Sequence, residues 1–392
     1  MAKKINVALI GYKFMGKAHS HAYKVMDFFF ERDCIPVMKV ICGRHEAPLK
    51  EAAKDWGWEE YDTSWERVVE RKDIDLIDIA SPQNTHRDIA IAAAKAGKHI
   101  LLEKPTAMNA QEASEMLDAV KKSGVKHMIG FNYRRVPAIA LAKKLIQEGK
   151  IGRIFHWRAC YLQDWIVDEN FPLIWKLKKE IAGAGAHGDL NSHLIDLARY
   201  LVGEIASVVG MKRTFIKQRP LPGDSDELNT MLTADAGRGM GEVTVDDATS
   251  FLAEFENGTM GSFEATRFAS GRKNFNSFEI YGSKGSLCFN FESMNELLYF
   301  SREDEDYAQG FKRILATEGI HPYISAWWPP GHIIGYEHTF VNQIADFMDC
   351  IAKDTMPEPN FYDGLRNQQV MDAVLESAEK GMKVIIQGGS LK

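Results

Sequence analysis

The sequence predicts a two-domain α/β protein, with a parallel sheet in the first domain and a large, mostly antiparallel open sheet in the second. The chain has 392 residues, 45% of them hydrophobic, which is enough for two buried cores. Short apolar runs alternate with amphipathic segments at the start of the chain, and alternating polar and apolar segments separated by turns follow later. We place the boundary where this pattern changes, giving domains 1–133 and 134–392.

The first domain reads as a series of βαβ units. Apolar runs predict strands at residues 5–10, 37–42, 76–80 and 99–102, and amphipathic segments predict helices at 16–27, 47–56 and 85–96. Strands joined by helices in this way are parallel, and ligands bind at the carboxyl ends of such strands. We therefore examine the turns that follow each strand.

The second domain reads as a helix followed by hairpins. A helix is predicted at 137–147, and strands are predicted at 154–162, 207–215, 250–255, 259–268, 277–281 and 286–290. Asn257-Gly258 and the turn at 283–285 are typical of hairpin connections. A Trp- and Pro-rich loop at 323–335 precedes two final helices at 336–351 and 363–381.

Charge and cysteine content favour a cytoplasmic protein that binds small molecules. The formal net charge of -6 comes from interspersed charges of both signs, so we expect neither nucleic acid nor a membrane surface as a partner. The five cysteines are scattered without CxxC spacing, which favours reduced thiols. We find no signal peptide and no membrane span in the sequence.

The first strand leads into a turn with the outer glycines of a GxGxxG phosphate-binding motif. Gly11 and Gly16 occupy those positions, while Lys13 replaces the middle glycine and Phe14 and Met15 complete the turn. The N-terminus of the following helix favours an anion, and the ammonium of Lys13 could itself contact a phosphate. A tight turn without a ligand is the alternative.

The second and third turns add further candidates for cofactor binding. No carboxylate follows the second strand at Gly43-Arg44, so Arg44 could accommodate a 2′-phosphate, although a solvated surface arginine is equally consistent with the sequence. Four residues of the third turn are also cofactor-binding candidates: Ser81, Pro82, Gln83 and His86. The alternative is that this turn only initiates the following helix. We expect NAD as the cofactor, with NADP possible because of Arg44.

A carboxylate and an amine end the fourth strand. Glu103 and Lys104 follow an apolar run and precede Pro105, whose peptide bond, if cis, would fix the direction of the lysine. Polar groups at the end of a buried strand indicate a site. We count both residues among the cofactor-binding candidates.

A glycine-rich segment leads into a helix that carries titratable groups on one face. Asp189, His193 and Asp196 have the spacing i, i+4 and i+7. A helix cap followed by a core histidine is the alternative. A metal site of His187, Asp189 and His193 matches no standard spacing, and we predict no metal.

The order of these motifs resembles that of the Gfo/Idh/MocA family of oxidoreductases. The glycine turn, the turn from Ser81 to His86, Glu103-Lys104-Pro105 and Asp189-x-x-x-His193 carry the resemblance. Segments 131–135, 161–165 and 198–204 are similar to the glycoside 3-dehydrogenases of the family, the group that includes levoglucosan dehydrogenases. The resemblance implies a Rossmann first domain, final helices that pack back towards it, and a homodimer or homotetramer.

The resemblance also implies a reaction, the oxidation of a secondary hydroxyl of a sugar, anhydrosugar or glycoside to a 3-keto sugar, with hydride transfer to NAD(P). Lys104 would lie beside the nicotinamide and the substrate hydroxyl. His193 would take the proton and Asp189 would hold the imidazole or a neighbouring hydroxyl. Two alternatives are an NAD-dependent glycosidase that oxidises its substrate transiently and a non-catalytic dinucleotide-binding regulator.

Sugars are recognised by aromatic faces together with polar side chains. For each aromatic candidate, ordinary core packing is an equally good interpretation. The substrate-binding candidates are Asn132, Tyr133, Gln163, Asp164, Trp165, His193 and Tyr336.

Overall fold

The computed structural model describes residues 2–223 and 236–386. The chain forms two compact units, one of Met1–Arg135 with Gly335–Gln368 and the other of Val136–Ile334 with Gln369–Lys392. The sequence-based division put all of 134–392 into the second domain, with its last helices packing back towards the first. In the structure, Gly335–Gln368 belongs to the first unit.

The first unit contains a six-stranded, all-parallel sheet with the strand order β3-β2-β1-β4-β5-β6. Its strands are β1 Lys3–Ile10, β2 Cys34–Cys42, β3 Glu60–Asp62, β4 Leu76–Ile79, β5 His99–Leu102 and β6 His127–Ile129. The central strands are buried on both faces, so they read as continuous apolar runs. This is the doubly wound sheet that the sequence predicted.

Helices connect successive strands of this sheet. They are α1 Phe14–Phe29, α2 Glu46–Trp56, α3 Trp65–Glu70, α4 His86–Lys95 and α5 Ala110–Ser123. Local chemistry fixes their ends: the side chain of Asn109 accepts the backbone N–H of Glu112 at the start of α5, and Gly124 ends that helix in the left-handed conformation.

The helix Tyr336–Ala352 belongs to the first unit because its side chains pack onto α1. The ring of Tyr336 stacks on Phe14 at 6.3 Å between centroids, and Phe340 lies 5.5 Å from the ring of His19. Sequence periodicity identifies such a helix but carries no information on which sheet it packs against.

The second unit begins with the helices α6 Pro137–Gln147, α7 Lys179–Ala182 and α8 Ser192–Leu201. Its nine-stranded sheet has the order β16-β15-β14-β13-β7-β12-β11-β8-β17. The strands are β7 Ile154–Leu162, β8 Ile205–Arg213, β11 Ala248–Phe255, β12 Met260–Thr266, β13 Phe275–Gly282, β14 Gly285–Asn290, β15 Glu296–Ser301, β16 Lys312–Leu315 and β17 Val384–Ile385. Among these described strands, only β7 and β12 pair in parallel, so the predicted, mostly antiparallel sheet is confirmed.

The remaining elements complete the chain. A separate two-stranded sheet pairs β9 Gln218–Pro222 with β10 Ala236–Glu242. Tyr336–Ala352 is α9, and α10 spans Phe361–Lys380. Seven of the described strands were not predicted: β3, β6, β9, β10, β15, β16 and β17. The two or three residues of β3, β6 and β17 are too few to show a periodic pattern. The helices α3, α5 and α7 were not predicted either.

One face of the large sheet is buried and the other is open. Along β7, Trp157, Ala159 and Tyr161 are buried, and the residues between them are not. On the buried side, Gly210 of β8 lies against the backbone of Val374 in α10, where a β-carbon would come within 2.8 Å of the carbonyl oxygen. In the described part of the chain, no helix is both long enough and apolar enough to cross a membrane.

Candidate active site

The glycine turn after β1 is closed so tightly that only glycine fits at its two ends. Gly11 has a φ of +119°, and a β-carbon there would lie 2.5 Å from the carbonyl oxygen of Ala80. A β-carbon on Gly16 would lie 2.2 Å from the carbonyl oxygen of Gly11. The two glycines therefore bring the start of α1 against the carboxyl ends of β1 and β4.

The start of α1 has the features of an anion site. Lys13 is the residue at the N-cap, and its side chain has no acceptor that could cap the first N–H groups. Burial lowers the pKa of the Lys13 ammonium, which lies 5.3 Å from the centre of the Tyr12 ring. This turn therefore fits the pyrophosphate of a dinucleotide, while contact of Lys13 with a phosphate stays a prediction.

Gly43, which follows β2, has little space for a side chain. A β-carbon on Gly43 would lie 2.2 Å from the ring of Tyr12, so a longer side chain fits there only if that ring moves. Arg44 is exposed, and its charge opposes the effect of burial, which raises the pKa of Tyr12. Contact of Arg44 with a 2′-phosphate stays a prediction, and its exposure also fits the alternative of a solvated surface arginine.

The third turn is bonded to the segment that follows Lys104. The buried ring of His86 lies with Nε2 2.9 Å from the carbonyl oxygen of Ser81 and Nδ1 3.0 Å from that of Pro105. The amide of Gln83 donates to the carbonyl oxygen of Ala107. The polar side-chain atoms of His86 and Gln83 therefore contact backbone carbonyl oxygens of the protein itself. Pro82 lies in the same turn.

Lys104 follows β5 and is half-buried, and its peptide bond to Pro105 is cis, as the sequence analysis anticipated. Glu103 beside it is buried, and its Oε1 lies 3.0 Å from Nε2 of His19.

Asn132 and Tyr133 are buried in a turn after β6, where the amide of Asn132 donates to the hydroxyl of Thr339 at 2.7 Å. The structure therefore ties Asn132 to α9.

In the second unit, a buried carboxylate organises the start of the helix that carries Asp189 and His193. Asp246 accepts the backbone N–H groups of Gly185 and His187 at 2.8 and 2.7 Å, as well as the hydroxyl of Thr249 at 2.9 Å. A π-helical turn over His187–Asn191 then leads into α8. The predicted helix is present, with a wider first turn.

Two cations hold the carboxylate of Asp189. Its Oδ2 lies 2.8 Å from Nη2 of Arg267 and 3.2 Å from Nζ of Lys176. The guanidinium of Arg267 is buried and lies 5.1 Å from the centre of the Trp165 ring, so one face of that ring is covered. The ring of Phe171 also packs against Trp165, at 5.3 Å between centroids, so Arg267 and Phe171 together limit the part of the Trp165 ring that can meet a ligand.

Further contacts continue from Trp165 to His193. The indole N–H of Trp165 donates to Oε1 of Gln163 at 2.9 Å, and the amide of Gln163 donates to Oδ1 of Asn274 at 3.0 Å. The hydroxyl of Tyr161 donates to the same oxygen at 2.6 Å, and its ring centre lies 6.0 Å from that of His193. We call this set the Asp189–His193 circuit: Asp189, Arg267, Trp165, Gln163, Asn274, Tyr161 and His193.

Asp164 bonds groups that are not part of this circuit. Its carboxylate accepts from Nζ of Lys273 at 2.8 Å and from the backbone N–H of Gly271 at 2.9 Å. The hydrogen bond from Lys273 lowers the pKa of the Asp164 carboxyl. Asp164 therefore fastens the loop before β13, and its role in substrate binding stays a prediction.

His187 is fully buried among groups of the second unit. Its Nε2 lies 3.0 Å from the carbonyl oxygen of Met371 and its Nδ1 3.1 Å from the amide nitrogen of Asn191. Burial lowers the pKa of this imidazole. Within residues 2–223 and 236–386, no three His, Cys, Asp or Glu side chains are grouped so as to hold a metal ion.

Sequence reasoning missed several of these residues. A signal existed for Asp78, a carboxylate in the otherwise apolar strand β4, and its partners are His19 and Tyr23. Lys176, Arg267 and Asn274 stand in no local pattern, because they reach the site from distant parts of the chain. Nothing in the sequence alone marks them.

Comparison with protein families matches both parts of the chain. Residues 5–131 match the oxidoreductase family with an NAD-binding Rossmann fold, and residues 139–288 match the GFO/IDH/MocA C-terminal domain. Among characterised proteins, the chain is 45% identical over 381 residues to a levoglucosan dehydrogenase of Pseudarthrobacter phenanthrenivorans, covering 96% of this chain and 97% of that one. It is 27% identical to a scyllo-inositol 2-dehydrogenase (NAD+) of Bacillus subtilis, with 89% of each chain covered.

Solved structures are similar over almost the whole length. An oxidoreductase domain protein from Kribbella flavida is 47% identical with a TM-score of 0.93, covering 99% of this chain and 100% of that one. A levoglucosan dehydrogenase in complex with NADH and levoglucosan is 44% identical with a TM-score of 0.92, covering 98% and 100%. These matches include the segments that contain every candidate residue described above.

Proposed function

This chain belongs to the Gfo/Idh/MocA family of NAD-binding oxidoreductases, and we propose that it oxidises a secondary hydroxyl of a sugar, an anhydrosugar or a glycoside to a 3-keto product. The observation that carries the proposal is the Asp189–His193 circuit, which sets an acid and an imidazole beside an aromatic ring and amide groups in the second unit. The similarity to a levoglucosan dehydrogenase supports the substrate class.

NAD, when bound, accepts a hydride from the carbon that carries the hydroxyl. The protein must then remove the hydroxyl proton, which we assign to the imidazole of His193, because an imidazole titrates near neutral pH. We assign Lys104 the stabilisation of negative charge that develops on the same oxygen. Glu103 orients rather than reacts, since its carboxylate is buried against His19.

Asp189 has a different task in this scheme. Because Lys176 and Arg267 balance its charge, it serves as a fixed acceptor for a hydroxyl of the substrate or for the imidazole. The part of the Trp165 ring that Arg267 and Phe171 leave uncovered, together with the amide of Gln163, would bind the sugar ring. Tyr133 and Tyr336 are the aromatic candidates of the first unit.

Turnover on a panel of substrates tests the proposal. Levoglucosan, methyl glycosides, free monosaccharides and inositols are incubated with NAD or NADP, reduced cofactor is followed by absorbance, and the product is identified by NMR. We expect NADH and a 3-keto product with at least one anhydrosugar or glycoside. Net loss of an aglycone without NADH would instead indicate a glycosidase, and no turnover of any polyol would favour a regulator.

A variant of the proposed base accompanies the panel. Asn in place of His193 removes the titrating group, so we expect kcat to fall by about 100-fold or more, with the dissociation constant of NADH nearly unchanged. NADH binding is measured by its fluorescence. Turnover at the level of the unmodified enzyme would contradict the assignment to His193.

A further inference from the structure

A chain of buried titratable groups lies beside Lys104. Nδ1 of His19 is 2.8 Å from Oδ2 of Asp78, and its Nε2 is 3.0 Å from Oε1 of Glu103. The hydroxyl of Tyr23 donates to the same oxygen of Asp78 at 2.8 Å. The relative exposure is 0% for His19 and Asp78, 3% for Tyr23 and 4% for Glu103. The mechanism above uses only one of the four.

The geometry favours a cationic imidazole. Each nitrogen of His19 lies within hydrogen-bond distance of a carboxylate oxygen, and only the protonated ring can donate from both nitrogens at once. Burial alone lowers the pKa of His19, but the charges and hydrogen bonds of Asp78 and Glu103 outweigh it and raise the pKa to about 10. An imidazolium therefore lies between two carboxylates inside the first unit.

These hydrogen-bonded side chains join three elements that meet around the glycine turn. His19 lies in α1, the helix that begins in the glycine turn; Asp78 lies in β4; and Glu103 directly follows β5. The structure leaves room for Glu103 only because residue 130 is glycine, where a β-carbon would lie 2.6 Å from Oε1 of Glu103. The end of β5 is thus tied to the cofactor-binding helix through one charged hydrogen bond.

A gain in folding stability does not by itself explain why charged side chains are buried here. Burying ions costs solvation energy, and well-packed apolar side chains of similar size are often at least as stable. A charged hydrogen bond fixes the relative position of the two groups that it joins, because it tolerates little displacement of either group.

We propose that His19 and Glu103 are positioning residues for Lys104, holding the backbone from which the lysine extends so that its ammonium meets the reacting oxygen. The proposal rests on the role of Lys104 in the proposed function. Neither His19 nor Asp78 touches the substrate in this scheme, and His19 acts through Glu103.

Two substitutions of His19 separate its two hydrogen bonds. The amide nitrogen of Gln in His19→Gln falls near the position of Nε2 and keeps the donor towards Glu103, whereas that of Asn in His19→Asn falls near Nδ1 and keeps the donor towards Asp78. We expect His19→Asn to lower kcat by roughly 100-fold, and His19→Gln to retain about tenfold more activity. Equal kcat values for the two variants would overturn the proposal.

A double-mutant cycle shows whether the effect passes through the lysine. The cycle combines His19→Asn with Lys104→Met, and residual NADH formation is followed over hours. We expect the additional loss from His19→Asn to shrink to about twofold or less once Lys104 is absent. A full additional loss in the Lys104→Met background would make His19 merely structural. Normal turnover by Lys104→Met alone would instead contradict the proposed function.

Two further variants keep the test interpretable. Glu103→Gln preserves the shape of the side chain and a hydrogen-bond acceptor while removing the charge. It replaces His19→Asn in the cycle if that variant does not fold, with the same expected outcomes.

Ser20→Ala is the matched control, because Ser20 is a buried neighbour on α1 that bonds the backbone of Gly16 and the indole of Trp58. We expect Ser20→Ala to lower the melting temperature without the loss in kcat. A loss in kcat equal to that of His19→Asn would count against the proposal.

Discussion

Asp189 shows how residues far apart in the chain determine the chemistry of one carboxylate. Lys176 comes from a short turn before α7 and Arg267 from the end of β12, and both reach Oδ2 of Asp189. Arg267 also covers one face of Trp165. Charge balance at Asp189 and the shape of the aromatic wall therefore depend on the same guanidinium.

Removing the charge of Asp189 should impair turnover more than cofactor binding. Asp189→Asn removes the carboxylate that Arg267 and Lys176 share, and the amide is a weaker acceptor for a hydroxyl. We expect kcat/KM to fall by about 100-fold while the dissociation constant of NADH stays within about twofold. Steady-state kinetics and NADH fluorescence measure the two quantities.

Glu204→Gln is the control for this residue. Glu204 pairs with the buried guanidinium of Arg199 at 2.6 Å just after α8, so the substitution also breaks an ion pair in the second unit. It should lower stability and leave kcat/KM nearly unchanged. A comparable loss of kcat/KM in Glu204→Gln would show that the effect at Asp189 reflects general damage to the helix.

At the scale of elements, β6 is fastened to the start of α10 by a neutral histidine. The ring of His127 lies 4.8 Å from that of Phe361, and its Nδ1 accepts the backbone N–H of Phe361 at 3.1 Å. Burial, with a smaller contribution from Lys126, lowers the pKa of His127 to about 4. The folded protein thus needs this imidazole unprotonated.

This need predicts a specific loss of stability in mild acid. Below the ordinary pKa of 6.5, the unfolded chain binds a proton at His127 that the folded chain does not bind until about pH 4. The contribution of His127 is therefore complete well above pH 6.5 and falls as the pH decreases, by roughly 1.5 kcal/mol between pH 6.5 and 5.

His127→Asn isolates the effect, since its side-chain oxygen can still accept from Phe361 while nothing titrates. Urea unfolding at a series of pH values should show wild type losing stability relative to the variant across this range. Parallel curves for the two proteins would refute the assignment.

At the scale of the whole molecule, the open face of the large sheet is the surface we expect to associate with a second copy. A row across the sheet runs through Val209, Leu252, Ser262, Arg158 and Glu279, with neighbouring residues in register. Val209 and Leu252 are about half exposed, at 46% and 56%, and Met211 and Met260 add to the apolar area. A flat surface with an apolar end and charged groups suits a self-complementary interface.

A charge placed on this surface should weaken the association. We expect the wild-type protein to be a homodimer or homotetramer by light scattering, and Leu252→Lys to shift it towards smaller species. Ile320→Lys introduces the same change at a more exposed site off the sheet, at 83%, and should leave the mass unchanged. A monomeric wild type, or two variants with the same mass distribution as the wild type, would contradict this expectation.

Much of the fold could be predicted because its signals are local. The strands of the first unit are apolar runs bounded by turns, and the helix Pro137–Gln147 was predicted with its observed bounds. The positions of Lys104 at a strand end and of Asp189 and His193 on a helix also follow from local sequence. The three-residue strand Glu60–Asp62 could not be predicted, because it has neither length nor an apolar pattern.

The sequence by itself determined the order of the main strands, the glycine turn after β1 and the family, since these depend on neighbouring residues. Only the tertiary structure showed that Arg267 and Lys176 share Asp189, that Tyr12 fills the space beside Gly43, and that His19 links Asp78 to Glu103. Such contacts join residues 13 to 84 positions apart. Tertiary packing determines these contacts, and the periodicity of the sequence does not predict which distant side chains meet.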